Sequence, residues 1–307
     1  MKNLKISAFL LVFILSSFQS LFCQTNGYAF LTRNMSARAI AMGGAFHAIK
    51  NDLGAIRTNP AALAGITQRV GSFSYVNYLL DVNGGEGVYI HPSEEGNIAG
   101  SFFYQDYGSF DGRNELNESQ GSFSASSLIL NVAYASQYTA ALWYGVTARY
   151  FRSEISSYTS DGFAFDGAIY YTSPFLRNLN FGLGIYNLGQ VRTAFIDYKD
   201  DIPTSIEFGM SKVLAHLPLE WSLAFRKYIE EDFVVAVGGE FTLSNNMFLR
   251  LGYNSNGKDQ KVSFDSNRLS GFSIGTGLIF HKYTVDYAFA SMGSLGNVNQ
   301  FTMGINF

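Results

Sequence analysis

Phe233-Val-Val-Ala-Val-Gly-Gly-Glu-Phe-Thr-Leu-Ser-Asn-Asn-Met-Phe-Leu-Arg-Leu-Gly-Tyr-Asn254 is the stretch whose pattern decides the fold. Phe233, Val235, Val237, Gly239 and Phe241 alternate with Val234, Ala236, Gly238, Glu240 and Thr242. After the turn Ser244-Asn245-Asn246, Met247, Leu249, Leu251 and Tyr253 alternate with Arg250, Gly252 and Asn254. A period of two sends successive side chains to opposite faces of a strand. Here one face is large and apolar, the other small or polar. A soluble sandwich would bury the apolar face in a core. A membrane barrel shows that face to lipid and keeps the polar one for its lumen.

The alternation extends in both directions. Leu219, Trp221, Leu223 and Phe225 face away from Glu220, Ser222, Ala224 and Arg226. Phe272, Ile274, Thr276, Leu278 and Phe280 face away from Gly271, Ser273, Gly275 and Gly277. From about Arg69 onward such runs number about fourteen, each of roughly 8–15 residues, the length a tilted span and its rim require. They start near Gln68, Gly85, Asn97, Gly121, Tyr138, Asp161, Asn178, Pro203, Leu217, Glu231, Asn246, Arg268, Lys282 and Val298. An even number closes an antiparallel barrel without leaving an edge. Phe280-His281-Lys282 and Ser244-Asn245-Asn246 read as tight turns, and Tyr104–Gly121, Arg152–Gly162, Gln190–Pro203 and Asn254–Arg268 as longer polar loops. The expected fold is an all-β transmembrane antiparallel barrel. Composition agrees: 28 Phe and 19 Tyr, only 5 Pro, and 15% charged residues against about 25% in ordinary globular chains. No stretch after the first turns of chain is apolar for the ~20 residues a spanning helix needs. A net charge of −3 with no basic patch argues against nucleic acid as a partner.

Residues 1–23 read as a secretory signal: Lys2 and Lys5, the short apolar run Ile6–Leu15, then Ser16–Ser20. Phe22 precedes Cys23 where a lipoprotein site would want a small residue, so ordinary cleavage near Cys23 is expected over lipidation. Cys23 is the single cysteine, which leaves the mature chain without disulfides or Cys-based zinc sites. At the other end, Phe301-Thr-Met-Gly-Ile-Asn-Phe307 alternates and finishes in an aromatic. Barrel-assembly machinery recognises its clients by such endings, so Phe307 is the expected assembly signal.

Residues 24–67 do not alternate and are expected to form a short helical plug ahead of a barrel over 68–307. Ser36 can cap a helix of small residues, Gly43-Gly44 would end it or let it pack closely, and Asn59-Pro60 opens a second helix with proline at its first position. Around them stand Arg38 and Asp52. Ser36-Ala-Arg-Ala-Ile-Ala-Met-Gly-Gly-Ala45, Asn51-Asp52 and Asn59-Pro-Ala-Ala-Leu63 together resemble the signature of the PorV/PorQ family, FadL-like outer-membrane barrels associated with type IX secretion. Phe165-Asp-Gly-Ala168, Leu179–Gly189, Pro203–Gly209 and Val285–Phe289 extend the resemblance over nearly all of the mature chain, and Tyr28-Ala-Phe-Leu31 with Ser211–Pro218 leans towards PorQ. The resemblance implies an accessory barrel with secretion-machinery proteins and secreted cargo as partners, in the outer membrane of a diderm bacterium.

By strand parity Arg149, Asp166, Glu207, Glu220, Arg226, Glu240, Arg250 and Asp286 point into the lumen. Mixed signs on neighbouring strands suggest pairs that brace barrel and plug, or else line a route. Charges in a low-dielectric wall require partners or water. Gly182-Leu-Gly184 and Gly275-Thr-Gly277 are strand glycines that leave room on the lumen face. His47, His91, His216 and His281 form no spaced ligand pair, and no nucleophile elbow or phosphate-cradling loop appears. A non-enzymatic protein without cofactor or metal is expected. Tyr104, Asp106, Tyr107, Phe110 and Arg113 mix aromatics with charge as interface cores do and make the candidate partner loop. The alternative reading is a FadL-like passive transporter of hydrophobic small molecules.

Overall fold

The computed structural model describes residues 27–80, 82–177, 179–229, 233–258 and 269–307; the signal segment at 1–23 lies outside them. Fourteen strands form one closed antiparallel barrel in sequence order. They are β1 (Val70–Asn77), β2 (Asn83–His91), β3 (Asn97–Arg113), β4 (Ser119–Gln137), β5 (Leu142–Ile155), β6 (Tyr158–Ser173) and β7 (Leu179–Thr193). The circuit continues through β8 (Ser205–Val213), β9 (Leu219–Tyr228), β10 (Phe233–Ser244), β11 (Met247–Asn254), β12 (Phe272–Phe280), β13 (Tyr283–Ser291) and β14 (Asn297–Asn306). β14 closes on β1 from Val70↔Asn306 to Asn77↔Asn299, so every strand is paired on both sides. That is what a bilayer demands of backbone polar groups. Along β3, Ile98 and Phe102 are exposed while Ala99 and Phe103 are buried. The same alternation runs round the circuit, with large apolar side chains outward and small, polar or charged ones inward.

The tight turns Phe280–Tyr283 and Ser244–Met247 lie at the end that faces the periplasm in such barrels. Two expected loops at the opposite end are strand instead. Arg152–Gly162 is the β5–β6 hairpin, tightly turned at Ser156, whose φ is +56°. Tyr104–Gly121 belongs almost wholly to β3 and β4, joined over residues 114–118. Bulges between Asp106 and Ser109 and between Asp111 and Arg113 break the alternation, which is why the segment reads as loop in the sequence. β4 has 19 residues. At ~3.3 Å per residue and a ~40° tilt it rises about 45 Å, well past an apolar band of ~25 Å. β3 to β7 therefore stand above the rim that β8 to β14 form.

Phe307 ends the chain at the closure. Its N–H donates to the Arg69 carbonyl at 2.9 Å, and its ring meets Tyr89 edge-on at 6.4 Å. Deleting Phe307 should cut assembled barrel several-fold, read as the heat-modifiable band in outer-membrane fractions; an undiminished band would contradict a role in assembly.

Candidate functional site

The chain before β1 runs the length of the lumen. Tyr28 and Phe30 pack on Phe151 at the top, with ring centroids 5.3 and 6.4 Å away. A 3₁₀ turn, Ala29–Thr32, leads down to α1 (Ala37–Ala41). Ser36 caps α1 by accepting from the Ala39 N–H at 3.4 Å. Gly43 and Gly44, with φ of +68° and +80°, then turn the chain against the wall. α2 (Ala55–Thr58) and a 3₁₀ helix, Pro60–Gly65, follow, the latter capped by Asn59, which accepts from Ala61 N–H at 3.0 Å. Asn59 also donates to the carbonyl of His47 at 2.7 Å and so ties the two halves of the plug together.

Wall glycines decide how close the plug sits. Gly182 and Gly209 face each other in β7 and β8, and a Cβ on either would meet His47. Gly238 and Gly252 pair in β10 and β11 against Met42 and Gly43. Gly145 lies against Pro60-Ala61 and Gly275 against Ala41. The room on the lumen face is filled by plug backbone at Gly182 and by the Ala41 side chain at Gly275.

Hydrogen bonds and ion pairs make a polar belt around this packing. From β2 to β7 it runs Glu86, Ser101, Asn131, Arg149, Asp166 and Asn187. Ser101 donates to Glu86 at 3.1 Å and Asn131 to Ser101 at 2.8 Å. Arg149 donates to Asn131 at 2.9 Å and to Asp166 at 2.8 Å. Asp166 accepts from the backbone N–H of Asn187 at 2.8 Å. Arg226 pairs with Glu207 at 2.8 Å, and His47 of the plug also contacts Glu207. On the far side Arg38 holds Glu240 with two bonds of 2.8 Å and Asp52 at 3.2 Å, with Glu220 at 3.9 Å. Arg250 reaches Glu240 and Asp286 at 2.5 Å each. Thus all eight wall charges picked by parity lie on the lumen side, and two plug residues, Arg38 and His47, bind among them, Arg38 also holding Asp52 of the plug. Glu86 and Asn187 were missed. Glu86 stands in the run Asn83-Gly-Gly-Glu-Gly87, where glycines erase the parity signal, and Asn187 sits at a bulge with φ +54°.

The candidate partner residues do not make one surface. Tyr104 is half exposed on the outer wall beside Phe102. Gly108, at φ +81°, lets Tyr107 turn inward towards Ser127, 3.3 Å away. Phe110 stacks on Phe123 across the hairpin at 5.4 Å. Arg113 closes the tip onto the Asn117 carbonyl at 3.0 Å. Asp106 accepts from Gly108 N–H at 3.0 Å within the bulge.

Two cavities flank α1 and share no residue. The one towards the long-loop end holds about 360 Å³ and is walled by Ile40, Tyr78, Leu79, Val82, Phe272 and Met292, with Arg33 and Arg226 at its floor. The one towards the short-turn end holds about 420 Å³ and is polar, with Arg38, Asp52, Glu86, Glu240, Arg250 and Asp286 in its wall.

No family model matches the chain, and no curated protein matches it. Solved structures do resemble it. The CymD monoaromatic hydrocarbon channel superposes with a TM-score of 0.65 at 11% identity, over 89% of this chain and 98% of that one. The toluene transporter TodX of P. putida gives 0.62 at 12% identity, over 89% and 98%. The toluene transporter TbuX of Ralstonia pickettii gives 0.59 at 12%, over 90% and 98%. At these identities the likeness concerns the fold: a FadL-like, fourteen-strand outer-membrane β-barrel with short helical turns ahead of its first strand.

Proposed function

We propose that the protein is a passive, non-enzymatic channel for small hydrophobic molecules crossing the outer membrane. The observation that carries this reading is the cavity above α1, apolar along Ile40, Leu79, Val82, Phe272 and Met292 and polar along Asn34, Asn254 and Ser273. Its volume of about 360 Å³ falls within the ~300–1,000 Å³ of small-molecule sites. It stands at the outward mouth of a fold whose solved neighbours are named as a monoaromatic hydrocarbon channel and a toluene transporter. Tyr78, Leu79 and Val82 offer apolar walls to a molecule arriving from outside. Below it α1 and the Arg38–Glu240 pair bar the way to a polar chamber, so passage requires the plug to shift.

A second reading, in which the barrel captures secreted proteins at the cell surface, draws on the PorV/PorQ-like plug motif and on the β3–β4 hairpin, which stands above the rim with Phe110 44% exposed. One experiment separates the two. Val82→Trp should fill the cavity and reduce uptake of toluene-like solutes by cells expressing the protein about tenfold, while the surface proteome stays unchanged. Shortening the hairpin above the Ser109–Ser124 pair should leave uptake intact. Normal uptake by the Val82→Trp protein, with surface proteins lost on hairpin shortening, would overturn the channel reading in favour of secretion.

A further inference from the structure

Beneath the apolar cavity lies a smaller void of about 20 Å³, bounded by Thr32, Arg33, Asn34 and Arg226, which it shares with the cavity, and by Arg57 and Arg149. Two plug segments and the wall meet there. Its charge does not balance. Four arginines face it: Arg33, Arg57, Arg149 and Arg226. Three carboxylates answer them: Asp166 at 2.8 Å from Arg149, Glu207 at 2.8 Å from Arg226, and Glu86 at 3.8 Å from Arg57. Four less three leaves one formal positive charge, before any proton on His47 is counted. Arg33 is the odd one. Among the described residues it has no carboxylate partner and lies over the ring of Tyr78 at 4.5 Å.

Hydrogen bonding is also incomplete. Arg57 is 9% exposed, yet its Nε, Nη1 and Nη2 all lack a hydrogen-bond partner among the described residues. Its face covers the Phe103 ring at 4.8 Å, so one side of the guanidinium is closed to acceptors. The Nη1 of Arg33 and the Nδ2 of Asn34 are buried without partners as well. Every one of these orphans is a donor. Buried donors left without acceptors destabilise the fold, and more so when charged, so an occupant that only accepts would relieve most of the cost.

We propose that this void binds one monovalent, monatomic anion, a halide such as chloride, which enters past Arg33 and Asn34 from the cavity above. A void needs roughly 10–15 Å³ to hold a water-sized body, so about 20 Å³ takes one such particle, and the single surplus charge calls for a monovalent one. A water would satisfy some donors but leave the charge uncancelled. The site stands whatever solute crosses the barrel. Its bound anion would tie the Thr32–Asn34 and Arg57–Thr58 segments of the plug to β5, β7 and β9, while the Glu207 carboxylate of β8, which also lines the void, stays paired with Arg226.

The test uses the full-length protein. Crystals grown in sodium bromide should show one anomalous peak in the void at near-full occupancy, and Arg33→Gln, which removes the surplus charge without touching the Arg57–Glu86 pair, should abolish it. In detergent, the unfolding temperature should be about 3 °C higher in bromide than in gluconate at equal ionic strength for a site tenfold above its dissociation constant, and the difference should vanish in Arg33→Gln. Density for water without anomalous signal, or an unfolding temperature indifferent to the anion, would overturn the proposal.

Discussion

Glutamine in place of Glu240 should destabilise the folded barrel by about 3 kcal/mol, the lower end of what breaking a buried ion pair costs. Glu240 is 6% exposed and is the one carboxylate that Arg38 and Arg250 share. An amide keeps a single acceptor and turns an NH₂ towards two guanidinium groups that can only donate. Arg250 retains Asp286, and Arg38 retains Asp52, but Arg38 loses its bidentate partner and Arg250 one of two equally short ones. Adding Arg250→Gln should then cost little more, because the cation that suffered is gone. The readout is the temperature at which the heat-modifiable band is lost, expected to fall on the order of 10 °C in the single variant. Fully additive losses would show that the two side chains act independently. Since Arg38 belongs to the plug, the Glu240→Gln barrel should also leak small ions more readily than the parent.

Strand positions were legible because two solvents act on one chain. Where lipid lies outside and a packed lumen inside, alternation is enforced residue by residue, and the strand starts inferred from sequence fall within four residues of those in the structure. The same logic fails where the solvent asymmetry ends. Above the membrane both faces of β3 and β4 meet water, so Tyr104–Gly121 lost its period and passed for a loop although the ladder continues to Arg113↔Ser119. Parity also picked the lumen charges, and put Glu240 beside Arg250 where the two do pair, but it could not give their partners on the plug. Nothing in the local pattern around Arg38 or His47 tells that one takes Glu240 and the other meets Glu207. Those pairings depend on the plug's path, and that path depends on wall glycines from strands far apart in the chain.

Removing residues 27–65 should convert the barrel into an open pore, with single-channel conductance rising on the order of tenfold or more, given that 14 strands lie closer to the wide porins than to side-chain-filled eight-stranded barrels. The argument rests on what faces the plug. Gly145, Gly182, Gly209, Gly238, Gly252 and Gly275 meet plug atoms directly, and several of them meet plug backbone. Glycines have no side chain to swing inward, so the wall cannot refill the space the plug leaves. Arg250, Glu240 and Asp286 would remain bonded to one another and keep to the wall. Gly252→Leu offers a milder version of the same experiment. Its side chain would strike Gly43 and Met42, lift α1 off β11 and give an intermediate conductance. The Glu240→Gln leak, the Gly252→Leu step and the full deletion should therefore form a rising series in planar bilayers. A deletion protein that assembles normally yet conducts no better than its parent would mean that the wall closes the lumen without the plug, and that the glycine seam serves only to accommodate it.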